Sequence, residues 1–294
     1  MNSQRIGVVT VTYNSGDVII PFIESLLKQS YENFTLYIID NASSDNTISK
    51  IEKFKTDKRI CLIENHENLG VAKGNNQGIT AALDAGCKSV LLINNDTEFE
   101  SLLIEKLQKG MLEYDCDMIA PKMMYHDKPD TIWFAGGYFL PKKAYFNTQE
   151  GKDQKDIGQY DVPRQIECAP TCCLLVSVNT FRTIGLMDEK YFVYYDDTDF
   201  CLRAFRAGLK MYLLPSAKLT HKVSSLTGGA LSPFVLKYTN RNLVYYIKKN
   251  ISKPIALFWI LCLQGVLLRR LIFRRDSRET YLIRQKALIE GLKM

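Results

Sequence analysis

The sequence predicts an α/β fold: a mostly parallel central sheet with helices on both faces, and a helical appendage at the C-terminus. Three observations lead there. Strand-like and helix-like segments alternate through the first 120 residues, the pattern of parallel strands joined by helical crossovers. Short polar side chains follow each predicted strand. Beyond Gly229 the pattern is helical to the end, and the balance of charge turns basic.

The elements follow in order. Ile6–Thr12 (IGVVTVT) is a short β-branched run and makes the first strand. Apolar residues at 18/19, 22/23 and 26/27 recur at helical spacing and predict a helix over 18–29. A strand over 34–39 precedes a helix over 45–55 that opens on Ser and Asp, good helix-starting residues. The alternation continues with a strand over 60–63, a helix over 71–85, a strand over 89–93, a helix over 102–112 and a strand over 118–121. Residues 122–176 carry fewer helical signals. They include WFAGGY at 133–138, a polar stretch at 147–161 expected to form a mobile loop, and a strand over 172–177. Short helices over 179–184 and 197–207 each end at a glycine, Gly185 and Gly208, with a strand over 210–214 after them.

Composition narrows the class. The chain has 294 residues, 46% of them apolar and 24% charged, which suits a globular protein with a sizeable core and excludes a disordered, collagen-like or multi-span chain. The formal charge of +6 is unevenly spread. From Leu231 onward 13 Lys/Arg meet three Asp/Glu, a surplus of +10 that leaves residues 1–230 at −4. The eight cysteines lack zinc-finger or ribbon spacing, and the N-terminus shows no export signal. Free thiols in the cytoplasm are therefore expected.

Open α/β sheets bind ligands at the carboxyl ends of their strands. At that edge this sequence puts Thr12-Tyr13-Asn14, then 40–45 (DNASSD), then Asn68-Leu69-Gly70 with 73–76 (KGNN), then 94–97 (NNDT). Any one such loop reads most simply as turn and cap residues. Four of them at one edge point to a polar ligand. No GxGxxG follows the first strand, and no GxxxxGK[ST] occurs, which argues against dinucleotide and P-loop chemistry. Phosphate would then be met by a metal on a carboxylate such as Asp96, or by Lys73.

TYN, IIDNASSDNT, NLGVAKGNNQGI, LLINNDTE, GLMDEKYFVYYDDTDFCLRAFRAG and His221 occur in that order across about residues 6–221. The series resembles the family 2 glycosyltransferases of GT-A fold, and within them the bacterial rhamnosyltransferase-like branch. The resemblance implies a catalytic domain over 1–230, with a nucleotide-sugar-binding half (1–120) and an acceptor and catalytic-base half (121–230). Thr12 and Asn14 would line the base pocket, and Asp40 with Asn41 would accept the base imide N–H. A carboxylate there suits uracil or thymine. Asn68, Lys73 and Asn76 would hold ribose and diphosphate. Asn94-Asn95-Asp96 stands where the family has Asp-x-Asp, so Asn94 would contact ribose, and Asp96 would bind a divalent Mg or Mn ion together with His221. Asp197 would be the base of an inverting transfer. Asp196 and Asp199 would lie on the acceptor side with Trp133, an aromatic face for a sugar or a core residue. The acids at 196, 197 and 199 also suit a helix N-terminus, and Arg203 is spaced to pair with Asp199.

The function implied is transfer of a hexose, rhamnose from dTDP-rhamnose on the branch resemblance, to a lipid-linked or polysaccharide acceptor in cell-surface glycan synthesis. A catalytically inactive nucleotide-sugar-binding module on a membrane is the alternative. In the basic region, 231–294, the apolar run at 255–268 is 14 residues, short of the roughly 20 a bilayer span needs. Arginines follow it at once. The expectation is a helix lying in the membrane interface, with residues 251–278 on anionic lipid at the inner face of the plasma membrane. A helix packed on the catalytic domain or in a homodimer is the competing use. Nucleic acid is not expected as a partner, because aromatics are not interleaved with the basic run.

Overall fold

The computed structural model describes residues 4–222 and 231–294. Its first half follows the alternation read above: β1 (Ile6–Thr12), α1 (Ile19–Leu27), β2 (Phe34–Asp40), α2 (Thr47–Ile51), β3 (Ile60–Glu64), α3 (Gly70–Asp84) and β4 (Ser89–Ile93). Next come β5 (Thr97–Phe99), α4 (Leu103–Glu113), β6 (Met118–Tyr125), β7 (Ile132–Phe134), β8 (Phe139–Leu140), β9 (Phe146–Asn147) and β10 (Arg164–Ile166). The remaining elements are β11 (Cys173–Ser177), α5 (Val178–Ile184), α6 (Asp196–Arg206), β12 (Met211–His221), α7 (Pro233–Asn250), α8 (Lys253–Ile272) and α9 (Arg278–Lys293).

The main sheet runs β10-β12-β6-β11-β4-β1-β2-β3. Strands β3, β2, β1 and β4 are parallel, as expected of strands joined by helical crossovers. All of β2 and β4 is buried, as helices on both faces require. The other half is mixed. β11 runs antiparallel to both β4 and β6, because a loop rather than a crossover helix leads into it. Its N-terminal end therefore meets the carboxyl end of β4, which lies beside that of β1. The α3 helix lies tightly on β1: a Cβ at Gly74 or Gly78 would come within 2.8 Å of Val11 or 2.4 Å of Val9. That close approach brings the N-terminus of α3 to the same edge.

Two strands are longer than expected. β6 continues through Pro121 and Lys122 to Tyr125, and β12 continues past a bulge near Leu214 to His221. The two pair in parallel along this length, and β5 pairs with the far end of β12, so that His221 stands opposite Thr97. This ladder carries His221 to the carboxyl edge.

The polar stretch at 147–161 is mostly loop, and it is anchored to the sheet. Lys122, wholly buried in β6, holds it from beneath through Asp156 (2.7 Å) and Asp161. Backbone bonds Ile132 N–H to Gln154 O (2.8 Å) and Glu150 N–H to Gly136 O (2.8 Å) fasten its margins.

The C-terminal helices pack on the sheet-bearing part, with α7 against α9 at a contact so close that a Cβ on Gly291 would meet the Arg241 carbonyl at 2.3 Å. The apolar run at 255–268 belongs to the longer α8, 20 residues, because Arg269 and Arg270 continue the helix. By length and composition α8 could cross a membrane, with a mean hydropathy of 1.9 over its most apolar window, and it is the one such helix among the described residues. It buries little beyond Ala256, Ile260 and Leu267, while Leu257, Phe258 and Leu261 are about 60% exposed.

Candidate active site

Two adjoining cavities open at the carboxyl edge of β1 and β4. The larger, of about 520 Å³, is lined by Val11, Tyr13, Asn41, Asn68, Asn95 and Asp96 among others. The smaller, of about 320 Å³, is lined by Gln149, Thr171, Cys172, Asp196, Asp197 and Thr198 among others. Val71, Asn94, Trp133, Val193, Tyr194 and His221 border both, so the two form one cleft with a common wall.

The strand-end loops divide into side chains that face the cleft and side chains that build it. Asp40 builds it. It is 2% exposed, and its carboxylate accepts Thr12 Oγ1–H at 2.7 Å, Ser43 Oγ–H at 2.6 Å and Ser43 N–H at 2.8 Å. Neither Thr12 nor Asp40 lines the larger cavity, contrary to the expectation of direct base contact. Asn14, at φ 50°, likewise clasps Ser44 through its Oδ1 (2.9 Å). Asn41 does face the cavity, and its amide donates to the Gly70 carbonyl at 3.1 Å, joining the second loop to α3.

On α3 the expectation also divides. Asn68 lines the larger cavity and accepts the Gly70 N–H at 3.0 Å. Asn76 does not reach either cavity. Its amide donates to the Met187 carbonyl (2.9 Å) and its oxygen accepts the Met187 N–H (3.0 Å), tying α3 to the turn before α6. Lys73 is half-buried on the first turn of α3 and lines neither cavity.

Asn94, Asn95 and Asp96 leave β4 directly into the larger cavity. Asn95 is buried and donates to the Val11 carbonyl (2.7 Å), and its buried Oδ1 has no hydrogen-bond partner among the described residues. Asp96 Oδ1 lies 3.2 Å from His221 Nε2. The Trp133 ring stands edge-on to the imidazole, centroids 4.5 Å apart, so this residue faces the cleft beside His221. Burial opposes a charge on His221, and the neighbouring Cys172 and Asp96 outweigh it, raising the group to about 10.

Asp96 Oδ1 and His221 Nε2, 3.2 Å apart at the edge of the larger cavity, are the pair that would hold a divalent cation, and His221 would have to release its proton to do so. No group of three His, Cys, Asp or Glu side chains suited to a metal occurs among the described residues.

The acidic segment opens α6. Asp196 is 4% exposed, and burial, then the adjacent Asp197 charge, raise it to about 8. Burial also raises Asp197, while the Thr198 N–H, 2.6 Å from its Oδ1, and the Thr198 hydroxyl favour its ionised form. Both line the smaller cavity. Asp199 is a correction to the acceptor-side expectation. It lines neither cavity, is fully buried, and accepts from Arg203 Nε (3.0 Å), Lys249 Nζ (2.9 Å), Asn250 Nδ2 (3.0 Å) and the Tyr191 hydroxyl (3.2 Å).

The turn that delivers these acids was not visible in the sequence. Phe192, Tyr194 and Tyr195 all have φ near +65°, a region that bulky residues rarely adopt and that costs about 1–3 kcal/mol per residue. Phe192, at φ 65° and ψ −59°, centres a γ-turn closed by Val193 N–H to Tyr191 O at 2.7 Å. Nothing but a run of aromatic residues marks this geometry in the sequence. Phe234, on the first turn of α7, also borders the larger cavity.

Comparison with known proteins gives the family. The family model "Glycosyl transferase family 2" matches residues 7–178. The chain is 37% identical to an uncharacterized glycosyltransferase of Haemophilus influenzae, over 84% of this chain and 76% of that protein. It is 26% identical to the dTDP-rhamnosyl transferase RfbF of Shigella flexneri, over 85% of this chain and 82% of the relative. Among solved structures, GalNAc-T7 with UDP, GalNAc and Mn²⁺ superposes with a TM-score of 0.63 at 14% identity, covering 82% of this chain and 47% of that one. The fold is thus GT-A, with a C-terminal helical region added. The chain belongs to glycosyl transferase family 2 and is a glycosyltransferase.

Proposed function

We propose that this chain moves a hexose from a nucleoside diphosphate sugar to a hydroxyl of a lipid-linked or polysaccharide glycan, with inversion, in cell-surface glycan synthesis. The observation that carries the reading is the shared wall. Asp96 stands in the larger cavity, His221 on the wall common to both and Asp197 in the smaller one, so a sugar at the wall meets donor machinery on one face and a carboxylate on the other.

In this reading the nucleotide occupies the larger cavity, against Tyr13, Asn41, Asn68, Asn94 and Asn95. Thr12, Asn14 and Asp40 hold the loops that shape it. Lys73 and Asn76 support α3 rather than contact the donor. A divalent cation on Asp96 and His221 supplies charge for the departing diphosphate when bound. The acceptor enters the smaller cavity past Trp133. Asp197 takes the proton from its hydroxyl as that oxygen attacks the anomeric carbon from the face opposite the diphosphate. Asp196, protonated, adds no second charge beside the base. Rhamnose on dTDP is the donor we favour, on the strength of the rhamnosyl relative.

The chain works at the inner face of the plasma membrane, with α8 and its following arginines against anionic lipid. The exposed Leu257, Phe258 and Leu261 support this, since so much apolar surface is unusual facing water. A thermal-shift panel of dTDP- and UDP-sugars, with and without Mn²⁺, tests the donor. Turnover of the best donor by Asp197→Asn tests the mechanism. We expect binding to persist, turnover to fall by about 10²–10⁴, and chelation by EDTA to lower activity. Undiminished turnover in Asp197→Asn would refute the assignment.

A further inference from the structure

One face of α7 is moulded to the segment that carries the acids. Asn242 is wholly buried, and its side-chain amide faces three carbonyls of the left-handed turn: Tyr191 (2.7 Å), Val193 (2.7 Å) and Tyr194 (2.9 Å). The orientation of that amide is fixed by chemistry. Three acceptors surround its nitrogen, while its oxygen accepts Arg241 Nε–H at 2.8 Å. Arg241 in turn donates to the Lys190 (3.0 Å) and Tyr191 (2.8 Å) carbonyls. Seven and eight positions along the helix, on the same face, Lys249 and Asn250 hold Asp199 on the first turn of α6. From the other side, the Val71 and Ala72 N–H groups of α3 meet the Phe192 carbonyl.

The turn at 191–195 thus puts several carbonyls in unusual directions, and a single side chain collects three of them. An extended or right-handed backbone would scatter those carbonyls. We propose that Asn242 is a positioning residue for transfer: its amide holds the turn in its left-handed form, and so fixes where the carboxyl groups of Asp196 and Asp197 point into the smaller cavity. The C-terminal region is then part of the catalytic apparatus as well as an appendage to it. The proposal rests on the reading of Asp197 as the base.

The test compares wild type with Asn242→Ala, using dTDP-rhamnose turnover, dTDP binding, thermal melting and amide hydrogen exchange. We expect kcat to fall at least tenfold, with the KM for donor and the Kd for dTDP within about threefold. Amide exchange at 193–199 should speed at least tenfold. Tyr245→Phe removes a bond from the same helix, from its hydroxyl to Asp188 (2.8 Å), and should leave kcat and that exchange at wild-type values. Should Asn242→Ala not fold, Asn242→Ser retains one donor and carries the same measurements, with intermediate values expected. Wild-type kcat in either variant overturns the proposal, as does a fall in kcat without faster exchange at 193–199. Parallel loss of kcat, dTDP affinity and melting temperature also overturns it, since a merely structural role would give that. The parent reading fails separately, if Asp197→Asn keeps its turnover while Asn242→Ala loses it.

Discussion

Asp199 separates architecture from chemistry, and Asp199→Asn is the substitution that shows it. The carboxylate is fully buried and faces two cations, Arg203 and Lys249, with Asn250 and Tyr191 completing its acceptor sites. Breaking a buried ion pair by neutralising one member costs about 3–5 kcal/mol, because a charge is left buried without compensation. Here both cations keep other partners. Arg203 still donates to the Ile184 and Leu186 carbonyls, and Lys249 still meets Asp188 at 2.7 Å. The lower end, about 3 kcal/mol, is therefore expected. For a chain of this size that corresponds to a fall in Tm of roughly 6 °C. Scanning calorimetry would measure it, at low and high salt, and the loss should change little with salt because the pair is screened from solvent. Binding of dTDP should stay within twofold. A Tm within about 1 °C of wild type, together with a large loss of turnover, would refute the structural assignment and return Asp199 to the acceptor side.

Other outcomes follow from the same coordinates. Asp196 is raised to about 8, so the folded chain holds a proton that the unfolded chain releases near pH 4. The stability this confers is complete below about pH 4 and is lost as pH rises through about 8. Asp196→Asn should flatten that decline in melts taken across pH, yet leave the acid limb of kcat, set by Asp197, in place; a limb moved by a full unit would contradict the assignment. Lys122→Met should lower stability by about 3 kcal/mol and speed proteolysis within 150–163, since Asp156 would keep only Lys218 and the Gly158 N–H, each at 3.3 Å. Unchanged cleavage there would mean that Lys122 does not hold the strap. Replacing Leu257, Phe258 and Leu261 together by Ser should weaken cosedimentation with phosphatidylglycerol vesicles at least tenfold, each side chain being worth about 1.5–3 kcal/mol when buried. A protein that instead changes from dimer to monomer would assign the face to a second copy.

The parallel half of the sheet was legible because it rests on local patterns. Ile6–Thr12 and Ser89–Ile93 are apolar runs between turn residues, and both strands were placed to the residue. The mixed half was not, because direction there depends on pairing between distant segments: β11 reads as a strand in any orientation, and β12 extends to His221 only because β5 and β6 receive it. The site divides the same way. Asp96, His221 and Asp197 stand in recognisable motifs, and all three side chains line the cleft. Asp40, Asn76 and Asp199 stand in the same motifs, yet they brace the cleft, and a motif does not distinguish a side chain that faces a ligand from one that holds its neighbour. Asn242 carries no motif, and only the three carbonyls brought to it by the fold give it meaning.

The order of strands has a consequence for synthesis on the ribosome. β1 to β4 are neighbours in the sheet and all emerge early, so that half can pair as it appears. β6 cannot. β7 follows at once and pairs with Met123 and Met124, but the partners β11 and β12 begin at Cys173 and Met211, so most of both edges stays open while they are made, a wait on the order of ten seconds at ordinary elongation rates. An open apolar strand is a template for aggregation, and β6 interrupts itself with Pro121 and Lys122. The proline withholds one backbone donor and the lysine puts a charge in the middle of the strand. The residue that later clasps the strap at 147–161 thus also guards the nascent chain against pairing with the wrong neighbour.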